Sequence, residues 1–165
     1  MDIGDLLALG ERIGGKLVAR GETIAVAESS AGGLISAALL ARAGASAYFF
    51  GGAVLYTRRS RRLFTTLTSD DTAGMRSSSS PYAQLLARHQ RERFRASWGL
   101  AETGAAGPSG NTYGDPAGHS CLAVDGPVTL DRLLRTGQCD RQHNMRAFAM
   151  AALELLEQAI DRAAG

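Results

Sequence analysis

Residues whose types and spacing could do chemistry fall in three short stretches. The first is Ala27-Glu28-Ser29-Ser30-Ala31-Gly32-Gly33-Leu34, which ends an apolar run and opens an Ala/Leu pattern. An apolar run, a break and a helical pattern predict a buried strand feeding a helix through a tight turn. Gly32 and Gly33 fall where the first helical turn is expected, a poor place for helix propensity, and suit a close approach to the backbone. Free N–H groups at a helix start form an anion or oxyanion site. A serine beside them, Ser29, can act as a nucleophile if a base reaches it. The alternative is that Ser29 or Ser30 simply N-caps the helix, which leaves the glycine pair unexplained.

The second stretch is Tyr48 to Arg62. Gly51-Gly52 interrupts an apolar run that otherwise reads as a strand ending near Tyr56, a sign of a bulge or a close backbone approach. Arg58, Arg59, Arg61 and Arg62 follow at once. Such a run is either a solvated helix face or, at the carboxyl end of a strand, a set of cations placed to meet a phosphate. The third stretch is Thr103-Gly104-Ala105-Ala106-Gly107-Pro108-Ser109-Gly110, a glycine-rich turn that follows the short strand Trp98–Thr103.

The elements that must position these groups can be read from periodicity. Residues 2–20 form an amphipathic helix, bent near Gly14-Gly15 and ending at Gly21. Strands are predicted at 23–28, 48–56, 98–103 and 119–124, with 128–136 as an antiparallel hairpin partner. Helices are predicted at about 30–43, at 81–96 with Pro81 in its first turn, and from about 140 to 163. The second of these carries Leu85, Leu86 and Phe94 inside. Residues 63–80 read as a loop with one short helix. This order gives an α/β fold, a three-layer α/β/α sandwich on a mixed sheet, as a single domain over 1–165. If the strands ahead of the two glycine-rich turns are parallel neighbours, both turns open on one edge, where such folds place ligands.

Composition narrows the function classes. The chain has 165 residues, 45% of them hydrophobic, and a formal net charge of +2. No apolar stretch approaches the roughly 20 residues of a membrane span, and the acidic start lacks a signal-peptide pattern, so a cytoplasmic protein is expected. Nucleic-acid binding fits poorly, because the net charge is small and no aromatic residues interleave the arginines. Cys121 and Cys139 have no metal-like spacing, and no metal or cofactor is expected. Lys16 is the only lysine among 18 basic residues, so a lysine base has one candidate, itself better read as a solvated residue.

Taken together, these motifs resemble the CinA C-terminal domain, the nicotinamide-nucleotide amidase family. Ala27-Glu28-Ser29-Ser30-Ala31-Gly32-Gly33-Leu34 resembles the family's A-E-S-C-T-G-G-L turn, and Ala43-Gly44-Ala45-Ser46 its P-G-A-S. Gly51-Gly52-Ala53-Val54-Leu55-Tyr56-Thr57-Arg58-Arg59-Ser60-Arg61 is similar to G-G-V-V-x-Y-S-N-x-x-K. Thr103 to Gly110 matches T-G-I-A-G-P-x-G, and Pro116-Ala117-Gly118-His119-Ser120 matches P-x-G-T-V. The match covers nearly the whole chain in order and reads as a stand-alone domain, without the N-terminal domain often fused ahead of it.

The resemblance implies an amidase that converts nicotinamide mononucleotide to nicotinic acid mononucleotide and ammonia. It implies Ser29 as nucleophile, Thr103 and Gly104 lining the site, and Tyr56 with the position of Arg61 supporting it. Glu28, Ser30, Gly32, Gly33, Gly51, Gly52, Gly104, Gly107 and His119 would then contact a phosphorylated pyridine nucleotide. Family likeness and the apolar faces of several helices point to a homodimer. The departures are chemical. Ser30 replaces the family cysteine, Ala31 the threonine, and Arg61 the lysine. Arginine is effectively never deprotonated, so Arg61 can hold an anion but cannot take the proton of Ser29. His119, where the family has threonine, is the substitute base the sequence offers, and Lys16 serves only if its helix passes the pocket. The alternative function is a nucleotide-binding module that has lost or changed the amidase reaction.

Overall fold

The computed structural model describes residues 2–165. The Asp2 carboxyl caps α1 (Ile3–Arg20), and Gly21, in the left-handed conformation at φ 63, ends it. The helix continues unbroken through Gly14-Gly15, with Leu6, Leu9, Ile13 and Leu17 on its buried face. The chain then runs β1 (Ile24–Glu28), α2 (Leu34–Leu40), a 3-10 turn (Ala45–Ala47), β2 (Phe49–Val54), α3 (Arg58–Phe64) and α4 (Ser80–Phe94). It closes with β3 (Trp98–Ala105), β4 (His119–Asp125), β5 (Leu130–Arg135) and α5 (Arg141–Arg162). No helix among the described residues is long and apolar enough to cross a membrane.

The five strands form one sheet in the order β2-β1-β3-β4-β5. β1 pairs in parallel with β2 and with β3, while β4 runs antiparallel to both β3 and β5. This is the mixed sheet expected, and the hairpin partner lies at 130–135. One face packs against α2 and α5 through Ile24, Val26, Trp98, Leu100, Leu122 and Phe148, and α1 lies against those two helices in the same core. The other packs against α4 and is built from smaller residues, Ala27, Ala101, Cys121 and Ala123. The interior strand β1 is buried throughout, whereas the edge strands β2 and β5 alternate, as an uncovered outer face requires.

Several boundaries differ from the sequence reading. α2 starts at Leu34 instead of about 30, because Gly32 and Gly33 adopt φ 67 and 99 and form a turn ahead of it. The arginine run is itself a helix, α3, capped by Thr57 and Ser60, and the stretch from 65 to 79 holds turns only. Phe94 is 37% exposed, not inside the core, although its ring lies against Gly51. The strand irregularity falls at Phe50, between the Ile24–Phe49 and Ala25–Gly51 pairs.

Glycine decides how closely two layers approach. A Cβ on Gly10 would stand 2.2 Å from the Ala38 carbonyl oxygen where α1 crosses α2, while one on Gly15 would meet nothing within 4 Å. Both are interior helical positions, so propensity alone would favour alanine at each by roughly 0.5–1 kcal/mol. Gly15→Ala is therefore expected to raise the urea midpoint. Gly10→Ala, which must push backbone off backbone, should lower stability by about 1–3 kcal/mol. Equal shifts in the two variants would show that α1 and α2 are not closely packed.

Candidate active site

Because β1 and β3 are parallel neighbours, the turns that follow them emerge together at the carboxyl edge of the sheet. Ala27 pairs with Ala101 on the α4 face, and the same alternation brings Ser29 and Thr103 out on that face one step further. There they line one cleft of about 210 Å³ with Tyr56, Arg58, Arg61, Ser77, Ser78 and Tyr113. A contiguous hollow of about 290 Å³ shares Ser29, Tyr56, Gly104 and Asn111. It adds Ser30, the Gly107–Gly110 loop and Arg141. Ser29 stands where the two meet. A larger hollow of about 730 Å³ at the starts of α1, α2 and α5 is lined by Ile3, Leu34 and Met145 with Asp2, Gln142 and Arg146, and contains no nucleophile.

The turn that carries Ser29 is held by two buried carboxyls. Glu28 Oε2 accepts the Gly33 and Ile35 N–H groups at 2.8 and 3.2 Å, and Oε1 accepts the Ser36 N–H and hydroxyl at 3.0 and 2.6 Å. Glu102, reaching across from β3, accepts the Ser29 and Ala31 N–H groups at 2.9 and 2.8 Å on Oε2. Its Oε1 accepts the Ser120 hydroxyl at 3.0 Å. Neither serine caps α2; Glu28 does so from inside. The amides of Gly32 and Gly33 are consumed by Ser29 O and Glu28, so they form no oxyanion site. The Ser30 N–H is the amide of this turn left without a partner among the described residues.

Thr103 Oγ1 accepts the Ser78 N–H at 3.2 Å, which leaves its own hydroxyl proton available to the cleft. Ser78 is fixed at φ 58 and buried, its carbonyl meeting His119 Nε2 at 2.9 Å and Cys121 Sγ at 3.3 Å. His119 is 3% exposed, lies behind Ser78 beside Asp115 at 3.7 Å, and does not line the cleft. The expected substitute base is thus walled off by the segment it supports. Asp115 is itself paired with Arg76, which holds its carboxyl below the usual range. Lys16 is bound to Asp161 at 2.6 Å and Glu157 at 3.0 Å on α5, away from the cleft.

Of the remaining residues singled out in the sequence, the structure brings Ser29, Ser30, Tyr56, Arg61, Thr103, Gly104 and Gly107 to the two hollows. Glu28, Gly32, Gly33, Gly51 and Gly52 do not line them. Glu28 is fully buried under the turn. A Cβ on Gly32 would meet Met145 at 2.8 Å, and one on Gly52 would meet the Ser36 hydroxyl at 2.4 Å. These glycines serve packing. Gly107 has φ 106, and a Cβ there would stand 2.7 Å from the Cys139 carbonyl.

Two site residues escaped the sequence reading. Arg141, the first residue of α5, donates to the Gly107 carbonyl at 2.9 Å and to the Tyr56 hydroxyl at 3.0 Å. Its signal was only a cation one residue past the Asp140 cap. Tyr113 comes from the loop before β4 and faces Arg58 and Arg61 across the cleft. The neighbouring Arg58 guanidinium, with Ser77 and the charge of Arg61, pulls its phenol below the ordinary range. Arg61 Nε is buried without a partner among the described residues.

A serine on a strand-to-helix turn, faced by hydroxyls and guanidinium groups at the carboxyl edge of a mixed sheet, defines an α/β domain with a polar, cationic cleft at that edge. The profile of the CinA C-terminal domain family matches residues 7–160. A CinA-like protein of Anaeromyxobacter sp. (strain K) is 37% identical over 152 residues, 92% of this chain. The chain spans 37% of that relative's length. The crystal structure of competence/damage inducible protein CihA from Agrobacterium tumefaciens superposes with a TM-score of 0.85 at 31% identity, covering 94% of this chain and 95% of its own. A CinA superfamily protein from Klebsiella pneumoniae 700603 gives 0.87 at 25% identity, over 95% and 98% of the two chains. This chain belongs to the CinA C-terminal domain family.

The buried carboxyl at Glu102 makes stability depend on pH. Burial pushes it up to about 7 from 4.5, against the pull of its three hydrogen bonds, and the nearby Glu28 adds to the rise. The folded state therefore keeps a proton that the unfolded chain releases between these values. The stabilisation is complete below pH 4.5 and is lost as pH rises through about 7. The shift corresponds to a change on the order of 3 kcal/mol. Urea midpoints should fall between pH 5 and 7.5, and Glu102→Gln should flatten that slope. An unchanged slope in the variant would assign it to other groups.

Proposed function

We propose that the protein hydrolyses the carboxamide of a phosphorylated pyridine nucleotide, turning nicotinamide mononucleotide into nicotinic acid mononucleotide and ammonia. The observation that carries this reading is the place of Ser29, at the junction of two hollows lined by hydroxyl and guanidinium groups. Ser29 Oγ attacks the carboxamide carbon. Its proton passes to Tyr113, the cleft phenol whose ionised form two arginines favour. The oxyanion meets the Thr103 hydroxyl, the Ser30 N–H and Arg61, each a donor still free to bond. Collapse expels ammonia, which takes the proton back from Tyr113. Water, deprotonated by the same phenolate, then releases the acid from Ser29 and restores the hydroxyl. Arg141 and the Gly107–Gly110 loop offer the phosphate a cation and a tight backbone turn. A cytoplasmic homodimer acting in pyridine-nucleotide recycling fits this role.

A second reading is a nucleotide-binding module without turnover. It is favoured by Arg61, which stands where the family has a lysine and cannot accept a proton.

Ammonia release from nicotinamide mononucleotide separates the two. Ser29→Ala is expected to abolish it with little change in melting temperature, since Ser29 makes no cap. Tyr113→Phe should lower kcat by about 10²–10⁴-fold with binding retained. Arg61→Lys should be slower than wild type; a faster variant would show the lysine role vacant. Ligand-induced thermal shift with no ammonia from wild type would establish the binding module.

A further inference from the structure

The hold that Glu102 has on the Ser29 turn is tighter than a packing role requires. Its side chain comes from β3, is 0% exposed, and binds the amides of Ser29 and Ala31 with one oxygen. We infer that Glu102 is a positioning residue for the proposed nucleophile: its carboxyl keeps the Ser29–Ala31 turn in register with Thr103, and its proton sets how firmly. This rests on the reading of Ser29 as the reacting group.

The bonding pattern permits both charge states without breaking the network. As a carboxylate, Glu102 accepts from two amides and from the Ser120 hydroxyl at 3.0 Å. As an acid, it donates from Oε1 to Ser120 Oγ. The Ser120 proton then turns to the Thr103 carbonyl, already 3.4 Å away. Hydrogen bonds to an ionised acceptor are roughly twice as strong as neutral ones, so protonation loosens the turn without unfolding it. Burial places this carboxyl at about 7, where either state is accessible.

Glu28 faces Glu102 from β1, and its charge adds to the rise. Ser120 faces it from β4 and is not titratable in this range. The residues of α2 are uncharged. The α5 residues packed on the sheet there are Met145 and Phe148, while Arg141, His143 and Arg146 reach solvent. His119 lies on the opposite face of β4, and a His119→Gln control separates its effects from those of Glu102.

The experiment is a pH titration from 5.5 to 8.5 of the ¹⁵N-labelled protein, read at the Ser29 and Ala31 amides. Both resonances are expected to move with one midpoint near 7, to be fixed in Glu102→Gln, and to move as in wild type in His119→Gln. Nicotinamide mononucleotide turnover should rise about tenfold more from pH 6 to 8 in wild type than in Glu102→Gln, whose remaining limb belongs to Tyr113. Flat amides in wild type, or a titration lost in His119→Gln and kept in Glu102→Gln, would overturn the inference. If Glu102→Gln does not fold, the wild-type and His119→Gln titrations still decide it. Moving amides without turnover at any pH would defeat the amidase reading and leave the hold of Glu102 intact. Turnover with immobile amides would defeat this inference alone.

Discussion

Two carboxyl groups without access to water, Glu28 and Glu102, lie beneath the turn between β1 and α2, and the rest of the site is arranged by them. Burying such groups unbonded would be strongly unfavourable, and here every carboxyl oxygen accepts at least one donor. The donors are the amides that a helix start leaves without partners. The exchange satisfies both sides and fixes the path of the chain. Gly32 and Gly33 need positive φ because the backbone wraps around the Glu28 carboxyl. Ser29 owes its position to this wrapping and to the reach of Glu102 from the neighbouring strand.

That arrangement changes how the cleft can act. The positive end of α2 is spent internally, so the polarising groups available to a ligand are the hydroxyl of Thr103 and the guanidinium groups of Arg58, Arg61 and Arg141. Guanidinium groups bind carboxylate and phosphate with fixed forks but do not exchange protons near neutral pH. A phenol set between two of them is the complementary partner, since their charge favours its ionised form. Tyr113 and the arginine helix α3 therefore form one electrostatic unit although a long stretch of chain separates them.

Much of the frame was legible because it follows from local rules. The apolar run into Glu28, the Gly21 stop and Pro81 at the start of α4 all placed elements within a few residues. The site was legible where a motif names its own geometry, as with Ser29, Thr103 and Gly107. It was not legible where a role is decided by what lies opposite in space. Glu102 reads as one residue of a short strand, and only the parallel pairing with β1 shows that it grips the turn. His119 seemed a base by type, yet the Ser78 segment covers it. The Ser-cap reading failed because a carboxyl one residue earlier, pointing inward, did the capping. Arg141 and Tyr113 arrive from loops and helix starts whose direction no periodicity records.

The bare face of the sheet under α4 has a consequence for the size of what can bind. A Cβ on Gly99 would stand 1.9 Å from the Ala87 carbonyl oxygen, so the helix backbone rests on the strand backbone with no side chain between them. Ala27, Ala101 and Ala123 continue this low floor towards the cleft. The amino end of α4 supplies Tyr82 and, just ahead of it, Ser77 and Ser78 to the wall opposite Ser29. Residue size at strand positions that never meet the ligand thus acts as a shim beneath a lever. Thickening it at Gly99 would tip the near wall, making aperture a heritable dimension that can drift through positions outside the cleft.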